Sequence, residues 1–451
     1  MENVPMNSLE TISTWASALA LGRVPSPAID LVKRAFLDTI SVSLSGAQLD
    51  SARIVARLAA GGSAESSVIG QRRKAGAIDA ALINGTSAHA ELFDDNSEPM
   101  ISHPSAPLVS ALLPLAQARR KSGADVLLAY VAGFEVGVAL GRQLNPQLYQ
   151  AGWHVTRVLG NLGATAACGR LIELDARRMS AALGIAASMS SGLRQNFGTM
   201  TMALHAGLTA RDAVHAALLA ESGFGADADA LDGEYGFFAL FGGRRPAALP
   251  LGAPFELTAS GIIFKPYPSG APTHAAVDAA IALSQAIGGA VERIRRIRCL
   301  VHPWNFMTLR EGKPHDTLRA RVSLRYCVAA ALRHGALGSA QFTDTCLVDP
   351  MVERLMDRME IEAAKDLPDN GLFPAEVQLV LDDGATLGER REVPPGAPQR
   401  PFTQAQADQK FRSCAKGVLS EREMSRVAGM IDDLDKLPVI AILCEALEGE
   451  V

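Results

Sequence analysis

Apolar residues recur at helical spacing through the first half of the chain. Leu9, Ile12, Trp15 and Leu19 share one side of an opening segment, and Asn7 followed by Glu10 is a capping-box signature at its start. Pro25 and Pro27 break the pattern, and Ile29, Val32, Phe36 and Ile40 restart it over residues 28–44. Further helices are predicted over 75–91, up to Arg120, and over 125–142, 157–171, 176–193 and 203–221. The 157–193 stretch is rich in Ala and Gly, which let helix backbones approach closely, so it predicts the central helices. From Val291 the texture changes. Residues 291–301 mix β-branched side chains with arginines and predict a strand. Helices are predicted over 317–334 and, opened by Asp349-Pro350, over 351–364. Residues 375–381 and 385–387 flank Asp382-Asp383-Gly384 as the arms of a β-hairpin. Beyond the proline-rich 394–398 segment, 402–414, 420–431 and 438–447 are helical again. The pattern predicts a mainly α protein: a helical domain built from both chain ends (1–262 and 397–451) with an inserted α+β domain (263–396).

Length agrees with that division, since 451 residues exceed one ordinary core. A composition of 48% hydrophobic and 20% charged residues is that of a globular protein. The formal charge of −5 is spread without long runs, which argues against a nucleic-acid surface or a basic membrane patch. The six cysteines are scattered without a C-x-x-C pair and read as small buried hydrophobes. Met1–Pro5 lacks the basic and apolar regions of a signal peptide, and the apolar run 126–140 is interrupted by Glu135. A cytoplasmic protein that does not enter a membrane is expected.

Candidate chemistry concentrates in loops at helix starts. Lys265-Pro266-Tyr267-Pro268 places Lys265 and Tyr267 on a stiff extended connector, because each proline biases its predecessor away from helix. His274 follows closely. The other loops run from Asp94 to His103, from Tyr149 to His154 and from Arg194 to Met202. Histidines just before helices tend to stay neutral, and can then act as bases or hydrogen-bond carboxylates. Arg194 and Lys265 suit anionic groups. Gly160-Asn161-Leu162-Gly163 lacks the preceding strand and the Gly-Lys-Ser/Thr of a phosphate loop. Asp94, Asp95 and His103 lack the further ligands of a metal shell, so no metal is expected. The set suits proton transfer beside a carboxylate.

Several stretches together carry a family resemblance. They are Asn84-Gly85-Thr86-Ser87-Ala88-His89-Ala90 with Phe93-Asp94-Asp95; His103-Pro104-Ser105; Gly152-Trp153-His154-Val155-Thr156; Leu204-His205-Ala206-Gly207; Gly236-Phe237-Phe238 with Phe241-Gly242-Gly243; Lys265-Pro266-Tyr267-Pro268 with Thr273-His274; and Ser323-Leu324-Arg325-Tyr326-Cys327. The chain resembles the MmgE/PrpD family, which includes 2-methylcitrate dehydratase, cis-aconitate decarboxylase and iminodisuccinate epimerase. The resemblance implies a helical domain, an α+β lid, a cleft between them, a homodimer, and neither metal nor organic cofactor. His103, His154, Lys265 and Tyr326 match the family's active-site His, His, Lys and Tyr. Two positions depart from the dehydratase and decarboxylase pattern: Leu92 stands where those members carry Asp, and Met202 where they carry Lys. These departures favour the epimerase branch. The expectation is therefore a cofactor-independent isomerase inverting the carbon α to a carboxylate in an N-linked aspartate such as iminodisuccinate. Lys265 would act on one face, with Tyr149 or His154 on the other. His103, Arg194, Tyr326, Tyr267 and His274 would bind the substrate. The alternative is a lyase: a dehydratase or decarboxylase of a tricarboxylate, of the 2-methylcitrate or cis-aconitate type.

Overall fold

The computed structural model describes residues 6–59, 64–242, 244–309 and 312–449; Met1–Pro5 and Gly243 of the Phe241-Gly242-Gly243 motif lie outside the described residues. The protein has the mainly helical architecture that the pattern predicts, with a small mixed sheet in its second half. The helices that build and hold the site are α1 (Ser8–Ala18), α2 (Ser26–Gly46), α3 (Ala77–His89), α4 (Ser105–Ala118), α5 (Gly123–Leu144), α6 (Val155–Leu171), α7 (Ala176–Met189) and α8 (Met200–Glu221). Asn7 caps α1 by accepting from the Glu10 N–H at 2.8 Å. Helix α5 is long and apolar enough to cross a membrane by composition, yet its apolar window is 89% buried among the other helices. Its apolarity serves the core.

Glycines set the closest helix crossing. A Cβ on Gly85 of α3 would lie 2.8 Å from the Gly207 Cα of α8, and one on Gly207 would lie 2.4 Å from the Leu82 carbonyl. Only bare backbones allow that approach. It brings the end of α3, which carries His89, against the start of α8, which carries Met202 and His205.

The smaller unit has its own core, formed by residues between Ala275 and Leu381. Helices α9 (His274–Ala286) and α10 (Leu324–His334) pack together there, and α9 also covers the sheet. The sheet has strands β1 (Ile294–Val301), β2 (Met359–Ala363), β3 (Ala375–Leu381) and β4 (Thr386–Arg391), in spatial order β2–β1–β3–β4. Strand β1 is parallel to β2 and antiparallel to β3, and β3 is antiparallel to β4. A register shift between Ile294 and Arg296 lets Ile294 and Ile297, three apart, both face the core. Strand β2 corrects the predicted helix over 351–364: the helix stops at Asp357. The next residues pair with β1, with Glu362 meeting Arg298 at 3.0 Å and Glu360 bonded to Arg296. Cross-strand partners decide against local helical preference.

The chain ends share one core. Phe411, Val418, Met424 and Leu434 pack in the same cluster as Leu9, Phe36 and Tyr130. Helix α11 (Gln404–Ala415) lies on α2 and carries the buried Lys410. Its amine meets Asp38 at 2.6 Å and donates to the carbonyls of Phe93 at 2.9 Å and Lys265 at 3.1 Å. The two crossings between units run side by side, the Phe264 N–H donating to the Gly396 carbonyl at 2.9 Å. Gly396 has φ 87° and lies so close that a Cβ would meet Phe264 O at 1.9 Å. Lys410→Met leaves Asp38 buried without its cation. A loss of about 3–5 kcal/mol is expected in urea unfolding.

Candidate active site

A cleft of about 740 Å³ lies between the helical unit and the smaller unit. Helix starts and ends deliver its polar groups. His89 is the last residue of α3, His103 stands two residues before α4, and His154 is the N-cap of α6. The ring centres of His89 and His103 lie 4.6 Å apart, and those of His89 and His154 5.7 Å apart. His154 Nδ1 contacts His205 Nδ1 at 2.8 Å, so one of the two carries the shared proton.

Asp94 organises this imidazole group. Its two oxygens lie 3.0 and 2.9 Å from His89 Nδ1, and one lies 3.5 Å from His103 Nδ1. Burial pushes Asp94 up, but His89, His103 and Lys265 outweigh it and hold its carboxyl below the ordinary value. The adjacent Asp95 goes the other way. Burial raises it to about 8 despite the Ser105 hydroxyl bonded to it, so it stays protonated at neutral pH. Burial, with Lys265 and His89, holds His103 well below the usual imidazole value against the opposing Asp94. Its Nδ1 lies 2.8 Å from the Asp95 carbonyl, which can only accept. The Nδ1 of neutral His103 therefore carries the proton, and Nε2 is the nitrogen left for chemistry. Burial and the neighbouring imidazoles likewise keep His154 neutral.

Of the sequence-predicted residues, His103, Tyr149, His154 and His274 line the cleft. Lys265 does not. It is fully buried behind the wall, where its amine donates to the Leu92 carbonyl at 2.8 Å and lies 3.9 Å from Asp94. Burial lowers its pKa to about 8, partly opposed by Asp94. Arg194, Tyr267 and Tyr326 are also outside the lining. Arg194 stacks 4.0 Å above the Tyr149 ring and donates to the Tyr149 carbonyl at 2.6 Å, so it holds Tyr149 in place. Tyr267 points its hydroxyl at Asp278, 3.4 Å away. Tyr326 is buried in the smaller unit's core and bonds the Gln341 carbonyl. Sequence reasoning missed the centrality of His89. Its sequence signal is a carboxylate five residues after a helix-terminal histidine. Trp304, whose ring centre lies 6.4 Å from that of Tyr149, was missed too. Tyr326→Phe should leave kcat/KM within about threefold of wild type, because that hydroxyl is tied to backbone outside the cleft. A hundredfold loss would return it to the site.

Among the described residues, His89, Asp94 and His103 are the set whose donor atoms could surround a metal ion, all lying within 4.8 Å of one another. His89 Nδ1 and His103 Nδ1 also meet Asp94, at 2.9 and 3.5 Å, as a histidine–carboxylate network, while the buried His89 Nε2 has no hydrogen-bond partner.

The MmgE/PrpD N-terminal domain matches residues 10–249, and the MmgE/PrpD C-terminal domain matches residues 267–436. The chain belongs to the MmgE/PrpD family. Among its relatives, the human cis-aconitate decarboxylase is 28% identical, with 98% of this chain and 94% of that protein covered. The mouse cis-aconitate decarboxylase is 27% identical over 82% of this chain and 78% of that protein. The cis-aconitate decarboxylase of Aspergillus terreus is 28% identical over 98% and 96%. These relatives correct the expectation of an isomerase acting on an N-linked aspartate, since they are decarboxylases and therefore lyases. The geometry agrees with the correction. Inversion needs a base and an acid on opposite faces of one carbon, and Lys265, assigned to one face, does not reach the cleft.

Proposed function

We propose that this family member is a lyase that removes CO₂ from a small unsaturated polycarboxylate of the cis-aconitate type. The observation that carries the reading is the cluster of imidazoles gathered around one buried carboxylate at the wall of the cleft. The decarboxylase names of relatives similar along nearly the whole chain support it. In such a reaction the bond between carbon and the departing carboxylate breaks. Its electron pair becomes a new double bond. The displaced pair of the old double bond moves to the carbon beside a retained carboxylate, which then takes up a proton.

His103 is the proposed proton carrier. A polyanionic substrate brings negative charge beside the ring and raises its pKa. The ring then takes a proton at Nε2, with Asp94 near its Nδ1 to steady the imidazolium, and delivers it to carbon. His154 and the starts of α4 and α6 would orient carboxylates. Tyr149, whose hydroxyl burial pushes up to about 12 against Arg194, stays protonated and would donate a hydrogen bond. The smaller unit acts as a lid in this reading, and a homodimer and a cytoplasmic setting belong to it as expectations.

The test is incubation with cis-aconitate and its alkyl-substituted homologues in D₂O. Release of CO₂ with one deuterium at the protonated carbon is the expected result. Addition or loss of water without CO₂ would sink the proposal.

A further inference from the structure

One wall of the cleft is apolar. Leu92, Met202 and Val322 form a buried cluster with Phe197 packed against it, and all four line the cleft. They come from three parts of the chain: the α3–α4 connection, the start of α8 with the loop before it, and the smaller unit. Phe197 sets this wall beside the imidazoles, its ring centre 4.9 Å from that of His154.

Leu92 has φ 55°, the left-handed backbone that asparagine and aspartate adopt more readily than leucine. Its carbonyl accepts from Lys265, so the backbone is held in that conformation by a buried bond. A leucine at a position whose backbone favours Asp or Asn puts an apolar side chain on the wall at a cost in backbone strain.

Fixed positive charge is scarce on the same surface. Among the described lining residues, Arg142 is the one lysine or arginine, and its guanidinium is already committed to Glu256 at 2.6 and 2.9 Å. Glu98 and Asp369 add negative charge to the lining. His103, His154 and His274 are held neutral by burial, His274 lowered to about 3. Two anionic groups can be met at the imidazoles and helix starts. A third carboxylate against Leu92 and Met202 would lose its water and gain no partner, which is costly.

We infer that the cleft is built for an unsaturated dicarboxylate bearing an alkyl arm, the arm packing on Leu92, Met202, Val322 and Phe197, rather than for a tricarboxylate. This rests on reading the cleft as a polycarboxylate site, and it narrows the substrate class of that site.

The probes are cis-aconitate and 3-isopropylglutaconate of the same double-bond geometry, which share the departing carboxylate, the double bond and the retained carboxylate. In the second, two methyl groups replace the oxygens of the central carboxylate. Calorimetric titration of the full chain should give a Kd at least about tenfold lower for 3-isopropylglutaconate, in the range by which apolar pockets discriminate. The double variant Leu92→Asp with Met202→Lys restores a charged pair to the wall and should reverse the preference. Should that variant fail to fold, Leu92→Asn, suited to the left-handed backbone, should still reduce the wild-type preference severalfold. Equal or tighter binding of cis-aconitate by wild type overturns the inference, as does an unchanged preference in the variants. Binding involves no bond breaking, so this comparison stands or falls separately from CO₂ release.

Discussion

His103→Asn should lower kcat/KM for decarboxylation by about 10²–10⁴-fold, the range for removing a positioned acid or base. Asparagine keeps an N–H near the place of imidazole Nδ1, so the bond to the Asp95 carbonyl, 2.8 Å in the wild type, can persist. What disappears is Nε2, the nitrogen that would carry the proton to carbon. The His103 side chain is 15% exposed and its backbone N–H is held by Thr156 Oγ1 at 3.1 Å, so the local fold should survive. Near-wild-type unfolding with lost turnover is the expected combination. His103→Gln is the control: it keeps a group near Nε2 but cannot cycle a proton, and should be as slow. The reading also predicts proton uptake when a polyanionic ligand binds, because the substrate's charge raises an imidazole that burial holds low. Calorimetry in two buffers of different ionisation enthalpy measures it. Turnover within tenfold of wild type in the Asn variant would remove His103 from the chemistry.

The helical plan was legible because its periodicity is local. Asn7 with Glu10, or Ile29 to Ile40, needs no distant partner to be read. Residues 359–363 were misread for the opposite reason. Nothing within that segment announces that Glu360 and Glu362 will meet Arg296 and Arg298, more than sixty residues earlier. The site divides in the same way. His103, Tyr149 and His154 stand in loops at helix starts, a position that marked them as candidates, and the family resemblance implied the cleft. His89 looked like an ordinary helix-end residue, because its role depends on α3 packing against α8 and on the turn that returns Asp94 to it. Tyr326 and Arg194 show the converse. Each has the right chemistry, yet the fold ties one to Gln341 and the other to Tyr149. The departures at Leu92 and Met202 were visible singly. That they share one cluster is a tertiary fact, and it turns two single apolar positions into one apolar surface.

Lys265→Met should cut kcat/KM by about 10²–10³-fold and remove an alkaline limb from the pH profile. Lys265 is a positioning residue, since its amine bonds the Leu92 carbonyl behind the wall and faces Asp94 at 3.9 Å. Its charged amine anchors the 92–94 turn through the Leu92 carbonyl and the ionised Asp94, and so holds Asp94 on His89 and near His103. With its pKa lowered to about 8, Lys265 loses that charge as pH rises through this value. Wild-type activity should therefore fall above about pH 8, and the Met variant, already low, should show no such fall. Stability moves in the opposite sense. Between about 8 and the ordinary 10.5 the folded state holds fewer protons at this lysine than the unfolded chain does. The contribution of Lys265 to folding stability thus rises with pH across that window, and the Met variant lacks the rise. Activity falling while this part of stability rises is a signature that a merely structural lysine would not produce. Unfolding midpoints and kcat/KM measured from pH 7 to 10 on both proteins test it together. An alkaline limb near pH 8 that persists in Lys265→Met would assign the titration to another group.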